Sequence, residues 1–280
     1  MKFLLIGDFH GKINYKLNKI KKLDFDYVLC TGDLPSDGGS RKYIFKYWKE
    51  LDKKSLENII GKRKWSEIKR KSNKSLKTVL KFLNSLSRKV YFVKGNFDLE
   101  KNTKGRKPFI THLNKKLKRT KNIKLVHARA IKTKNFTLIA HSGYRFPTEK
   151  GKEKLNFRYY TKKKIKRRNQ QWNKRLKRIF SQVKDFKNSI FLVHDPPLNY
   201  LDKIINKKSP MNRKHLGDEY YLKYIKKYQP NICVCGHMHE HAQKTAKIGK
   251  TLVVNPGEAS KGQFAILELK NNKYKIRFYK

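Results

Sequence analysis

The sequence predicts an α/β fold in which two sheets pack face to face, with helices outside and basic helical insertions. Three observations predict it. Short apolar runs recur along the chain, and several stop at Gly-Asp, Gly-Asn or Gly-His. In the first half these runs alternate with long charged stretches whose apolar residues fall at helical spacing, the pattern of right-handed crossover units. In the second half the runs lie closer together, as in a sheet completed by short strands.

Phe3 to Gly7 reads as a buried strand and residues 15–23 as a short basic helix. Tyr27 to Cys30 is the second strand. Residues 40–86 read as helix, with Gly61 as the break. Lys89 to Val93 is a third strand, rich in β-branched and aromatic residues. Ile123 to Val126, Ala128 to Lys132 and Phe136 to Ala140 follow as short strands. In residues 149–183, Leu155, Ile165, Trp172, Leu176, Ile179 and Val183 partly fit one helix face. Ser189 to Val193 and Ile232 to Cys235 are strands around a helix at 215–228. Leu252 to Asn255, Phe264 to Leu269 and Tyr274 to Phe278 close the chain as strands. Neither an internal repeat nor a linker divides it, so residues 1–280 read as one domain with insertions at about 40–88 and 149–183.

Composition narrows the function. Lys and Arg number 71 and Asp and Glu 21, a formal net charge of +50. A base-composition bias inflates Lys but does not remove Glu. The scarcity of acid therefore points to a polyanionic partner, nucleic acid above all. The densest cluster, Lys162 to Arg168 and on through Arg175, makes Lys163, Lys164, Arg167, Arg168 and Arg175 the candidate phosphate contacts. Trp65, Trp172, Tyr159 and Tyr160 lie among basic residues and are candidates for stacking on bases. No apolar run reaches the length of a membrane span, and the first run lacks the features of a signal peptide. Cys30, Cys233 and Cys235 read as reduced core thiols of a cytosolic protein. Cys233 and Cys235 have no second pair with which to complete a soft metal site.

Chemistry-bearing residues sit where the strands stop. Asp8 and His10 follow the first strand, Asp33 the second, Asn96 and Asp98 the third. His194 and the pair His237 and His239 follow two later strands. The carboxyl ends of strands in an α/β sheet line one crevice. Carboxylate, amide and imidazole converging there suit hard to borderline divalent ions. Adjacent glycines let the backbone turn so that the ligands share a cavity. No Ser or Cys stands in an activated context, which argues against a covalent nucleophile.

The ordered set Asp8-x-His10, Gly32-Asp33, Gly95-Asn96-x-Asp98, His194 and Gly236-His237-x-His239 resembles the metallophosphoesterases, also called calcineurin-like phosphoesterases. Asn255-Pro256-Gly257 resembles a turn that these proteins often carry. The resemblance implies a four-layer α/β/β/α sandwich and two divalent metal ions, manganese first, with iron, nickel, zinc or magnesium as alternatives. It implies that Asp8, His10, Asp33 and His239 hold one ion, and that Asp33, Asn96, His194 and His237 hold the other. A hydroxide bridging the two would attack phosphorus. Asp33, Asn96 and Asp98 would be catalytic.

The departure is Phe97, where the family usually has a His that serves the leaving group. Phe does neither acid nor base chemistry, so reduced activity on poor leaving groups is expected, and a phosphodiesterase more than a monoesterase. His141 or His215 could replace the missing His, and His141 is the candidate catalytic acid. The expected function is therefore a metal-dependent phosphodiesterase acting on nucleic acid or a nucleotide-type diester. The alternative is a nucleic-acid- or ribosome-binding protein on the same scaffold with little catalysis.

Overall fold

Side-chain alternation along the strands creates the layers. In β1 (Lys2–Ile6), Phe3 and Leu5 face one way and Leu4 and Ile6 the other, and all four are fully buried. A strand buried on both faces must read as a continuous apolar run, as this one does. The computed structural model describes residues 1–280 apart from 48, 53, 99–109, 144–161, 208, 210 and 271–272.

The first sheet is built from β1, β2 (Tyr27–Cys30), β3 (Lys89–Phe92), β4 (Ile123–Leu125), β11 (Phe264–Lys270) and β12 (Lys273–Tyr279). Its order is β12-β11-β1-β2-β3-β4, with β1 to β4 parallel and β11 and β12 added antiparallel. The second sheet contains β5 (Arg129–Lys132), β6 (Thr137–Ala140), β7 (Ser189–Leu192), β8 (Ile232–Val234), β9 (Lys244–Ile248) and β10 (Thr251–Asn255). Its order is β5-β6-β7-β8-β10-β9; β6, β7, β8 and β10 are parallel, and both edges are antiparallel.

Between the sheets lies one apolar layer that joins Phe3, Leu5, Leu29 and Tyr91 to Leu138, Ile190, Leu192 and Val254. Each outer face carries helices. α3 (Lys62–Ser85) lays Leu76, Val79, Leu80 and Leu83 on the first sheet, with α4 (Leu113–Leu117) beside it. On the second sheet, α5 (Lys162–Ser181) seats Leu176, Ile179 and Phe180, and α6 (Glu219–Tyr228) seats Tyr221, Tyr224 and Ile225. These are the four layers α/β/β/α that the resemblance implied. The stretches read as insertions thus supply two of them. α1 (Arg41–Lys46) and α2 (Leu56–Ile60) precede α3, and Gly61 at φ +84° makes the expected break. Residues 15–22 form a 3-10 helix.

Trp65 is not available for stacking on bases. It is 2% exposed, in a small core with Leu56 and Ile68. Trp172 is likewise buried, on the inner face of α5. Leu155, Tyr159 and Tyr160 lie outside the described residues. Cys30, Cys233 and Cys235 are buried free thiols, and Cys233 and Cys235 are packed in the outer core of the second sheet. Among the described residues, no helix is long and apolar enough to cross a membrane.

Candidate metal centre

Parallel strands in both sheets end on the same side, and the loops leaving β1, β2, β3, β7 and β8 carry the ligand-type residues. Two groups form there. Asp8, His10 and His239 bring one ligand atom each within 4.8 Å of one another, and so do Asp33, His194 and His237. Asn96 joins the second group: its Oδ1 is 3.0 Å from His194 Nε2 and 3.1 Å from His237 Nδ1. In the first group, His10 Nε2 stands 3.1 Å from His239 Nε2, and Asp8 Oδ1 lies 3.9 and 3.5 Å from these nitrogens. The sequence-predicted ligands Asp8, His10, Asp33, Asn96, His194, His237 and His239 are all brought together.

The backbone is strained to place them. Asp8, His10, Asp33 and His237 have φ values of +51°, +43°, +52° and +65°. Non-glycine residues seldom adopt this region, and strain of this kind collects at functional sites. The glycines beside them serve closeness more than turning. A Cβ on Gly95 would overlap the Asp33 carboxylate and lie 2.6 Å from His194 Cε1. One on Gly236 would overlap Asp8 Oδ2.

Hydrogen bonds from behind fix which nitrogen two of the rings offer. His194 Nδ1 donates to the Thr31 carbonyl at 2.8 Å, which turns the Nε2 lone pair toward Asn96 and Asp33. His239 Nδ1 lies 3.2 Å from Glu258 Oε2, which leaves Nε2 for the first group. Glu258 is a buried positioning residue that sequence reasoning missed. Its only signal was its place directly after the Asn255-Pro256-Gly257 turn. That turn acts too: Asn255 Nδ2 donates to the Met238 carbonyl, between the two histidines.

Burial sets the charge states. It drives His10 down to about 4 and His237 down to about 3, so both rings are neutral lone-pair donors at neutral pH. Burial, reinforced by the Asp8 carboxylate, pushes Asp33 well above the usual carboxylate range. Imidazoles facing crowded carboxylates form a donor set that a divalent cation satisfies, so the residues present fit the metals.

Two sequence-predicted catalytic residues are fully buried. The Asp98 carboxylate is fully buried and accepts backbone N–H groups from Asp33 (2.6 Å), Leu34 (3.1 Å) and Gly95 (2.8 Å). It staples the β2 loop to the β3 loop. Burial and neighbouring Asp33 push it up to about 7, against those donors. His141 is on the outer face of its strand. Its Nδ1 is 3.0 Å from Tyr221 Oη, and its ring centroid is 4.3 Å from that of Trp172. The strand period of two explains this, since Ala140 faces the inter-sheet layer and His141 therefore faces out. Phe97 does reach the site: its N–H donates to Asp33 Oδ1 at 2.8 Å and its ring meets His10 edge-on at 5.4 Å.

The candidate phosphate contacts are gathered on α5. Lys163, Arg167 and Arg175 are exposed, Arg168 is half-buried, and the side chain of Lys164 lies outside the described residues. Trp172, Leu176, Ile179 and Phe180 occupy the opposite, buried face.

Comparison with known proteins agrees with this architecture. One solved structure superposes with a TM-score of 0.61 at 20% identity, covering 99% of this chain and 98% of its own. The protein TT1561 of Thermus thermophilus superposes with a TM-score of 0.54 at 17% identity, covering 99% and 97%. At these identities the likeness is one of fold. No curated protein matched the chain. Residues 1–278 match the family described as metallophosphoesterase, calcineurin superfamily. With nearly its whole length matched, the chain belongs to the metallophosphoesterases, a family that implies a dinuclear metal site and metal-dependent hydrolysis of phosphoesters.

Proposed function

We propose that the protein is a phosphodiesterase that hydrolyses nucleic acid or a nucleotide-type diester. The observation that carries this is the complete convergence of the ligand residues in two groups, beside a site where Phe97 offers no proton. Asp8, His10 and His239 would hold one divalent ion, and His194, His237 and Asn96 the other, with Asp33 between them. When bound, such a pair supplies Lewis acidity to the phosphoryl oxygens and an acidified water.

The chain's own residues do the rest. Glu258 and the Thr31 carbonyl keep His239 and His194 in the ligating tautomer. Asp98 holds the Asp33 and Asn96 loops in register. Phe97 covers one wall of the site with apolar surface against His10. A long polyanion would be drawn in by the net charge of +50 and held along exposed Lys163, Arg167 and Arg175.

Labelled single-stranded RNA and its DNA counterpart, incubated with the protein and Mn2+, test the reading. Metal-dependent cleavage is expected. Binding should weaken steeply with salt, and replacing Lys163, Arg167 and Arg175 together by Glu should lower the magnitude of the log–log salt slope on single strands by about 2. Binding that ignores salt would contradict the electrostatic part. Retention without cleavage of any diester would instead favour a binding protein on this scaffold.

A further inference from the structure

The loop from His194 to α6 carries a second acid–imidazole pair that the metal centre does not use. Asp202 is 1% exposed. Its Oδ2 accepts the backbone N–H groups of Asn199 and Gly217, both at 2.9 Å, and its Oδ1 receives His215 Nδ1 at 2.6 Å. The carboxylate is thus fixed in the loop and the ring is fixed to the carboxylate. The ring itself stays partly open, its side chain 38% exposed. Its Nε2 has no hydrogen-bond partner among the described residues.

The loop is tied to the metal centre. Lys203 and His215 pair as an antiparallel bridge, with Ile204 and Arg213–Lys214 bonded beyond them. The Lys203 carbonyl accepts His241 Nε2 at 2.8 Å. His241 ends the 3-10 turn that begins at His239, a member of the first ligand group. The pair therefore sits in the loop that leaves β7 just after His194, and that loop is bonded to the turn that carries His239.

An imidazole anchored at Nδ1 by a buried carboxylate, with Nε2 left unpartnered, is the arrangement of a proton donor. Phe97 leaves that position in the site unfilled by an acid. We propose that His215, oriented by Asp202, protonates the leaving oxygen during hydrolysis; this rests on the phosphoesterase reading above. The bond from phosphorus to the leaving oxygen breaks as a bond from phosphorus to the oxygen of water forms. The leaving oxygen keeps the bonding pair and takes the proton from Nε2. The proton lost by water passes to solvent, and solvent returns one to the ring.

The test compares two substrates with Mn2+: thymidine 5′-(p-nitrophenyl phosphate), whose leaving group needs no proton, and the dinucleotide TpT, whose leaving alkoxide does. His215→Asn keeps an N–H for Asp202 Oδ1, so the loop staple survives. The ratio of kcat on TpT to kcat on the p-nitrophenyl ester is expected to fall by about 10²-fold in His215→Asn. In Asp202→Asn, where the ring is present but loosely held, it should fall less. An equal loss on both substrates in both variants would make the pair a loop staple only and overturn the proposal, as would no loss on either. A wild-type protein that hydrolyses neither substrate would overturn the phosphoesterase reading first, and this inference with it.

Discussion

Asp33→Asn is expected to lower Mn2+-dependent hydrolysis by about 10³-fold while making the metal-free protein harder to unfold. The first effect follows from its position. Asp33 Oδ2 lies 3.6 Å from His194 Nε2, and its carboxylate stands near enough to Asp8 for each to feel the other's charge. A ligand shared between two ions, once neutral, costs several kcal/mol of transition-state stabilisation, and about 4 kcal/mol corresponds to that factor. The second effect follows from the same crowding. Asp33 is 2% exposed, and burial and Asp8 raise its folded pKa well above 3.8.

Asn is the substitution that isolates the charge. It tolerates the +52° φ of this position, and its amide oxygen can still accept the Phe97 N–H. In the wild type, a raised folded pKa means that the protonated form favours the fold. That contribution is full below about 3.8 and is lost as pH rises through the folded value. The metal-free variant should therefore gain on the wild type as pH rises above about 4. Urea midpoints at pH 4 and pH 7.5 read this directly. A variant that cleaves like the wild type would assign the activity to a contaminant. One that unfolds earlier at pH 7.5 would contradict the electrostatic account.

Asp98→Ala is the second large effect, and it tests a structural role against a catalytic one. Three buried backbone N–H groups would lose their acceptor, those of Asp33, Leu34 and Gly95. At about 1–3 kcal/mol for each, with partial relaxation, a loss of about 3–5 kcal/mol is expected. Turnover should fall as well, because the Asp33 and Asn96 loops would no longer be held in register. Asp98→Asn should cost less, since one oxygen can still serve the Asp33 and Gly95 donors. Denaturant titration and bound-metal analysis check this. Loss of turnover with unchanged stability and metal content would return Asp98 to a catalytic role.

The convergence of these positions was legible because metal chemistry admits few donor types and the fold puts them after strands. Gly-Asp, Gly-Asn and Gly-His after apolar runs carry both facts in sequence. Asp98 and Glu258 were less legible for one reason: their partners come from other loops, and a carboxylate's target is invisible in its own neighbourhood. His141 misled because a His after a strand says nothing of which face it takes. β9 was missed because Lys244–Ile248 is an edge strand with Ile248 its one buried residue, so no apolar run marks it. The strained φ values at Asp8, His10, Asp33 and His237 fall on residues chosen for chemistry, which no turn preference signals.

As proposed, Asp8, His10, Asp33, Asn96, His194, His237 and His239, which converge in two groups, would hold two ions that drive hydrolysis. The most direct measurement strips the protein of metal and returns Mn2+ stepwise. Bound metal per chain and hydrolysis of bis(p-nitrophenyl) phosphate are followed together. Turnover is expected to be absent without metal and to rise to its plateau as the bound metal reaches two per chain. Hydrolysis that persists in the stripped protein, or a protein that binds two ions and hydrolyses no phosphodiester, would contradict it.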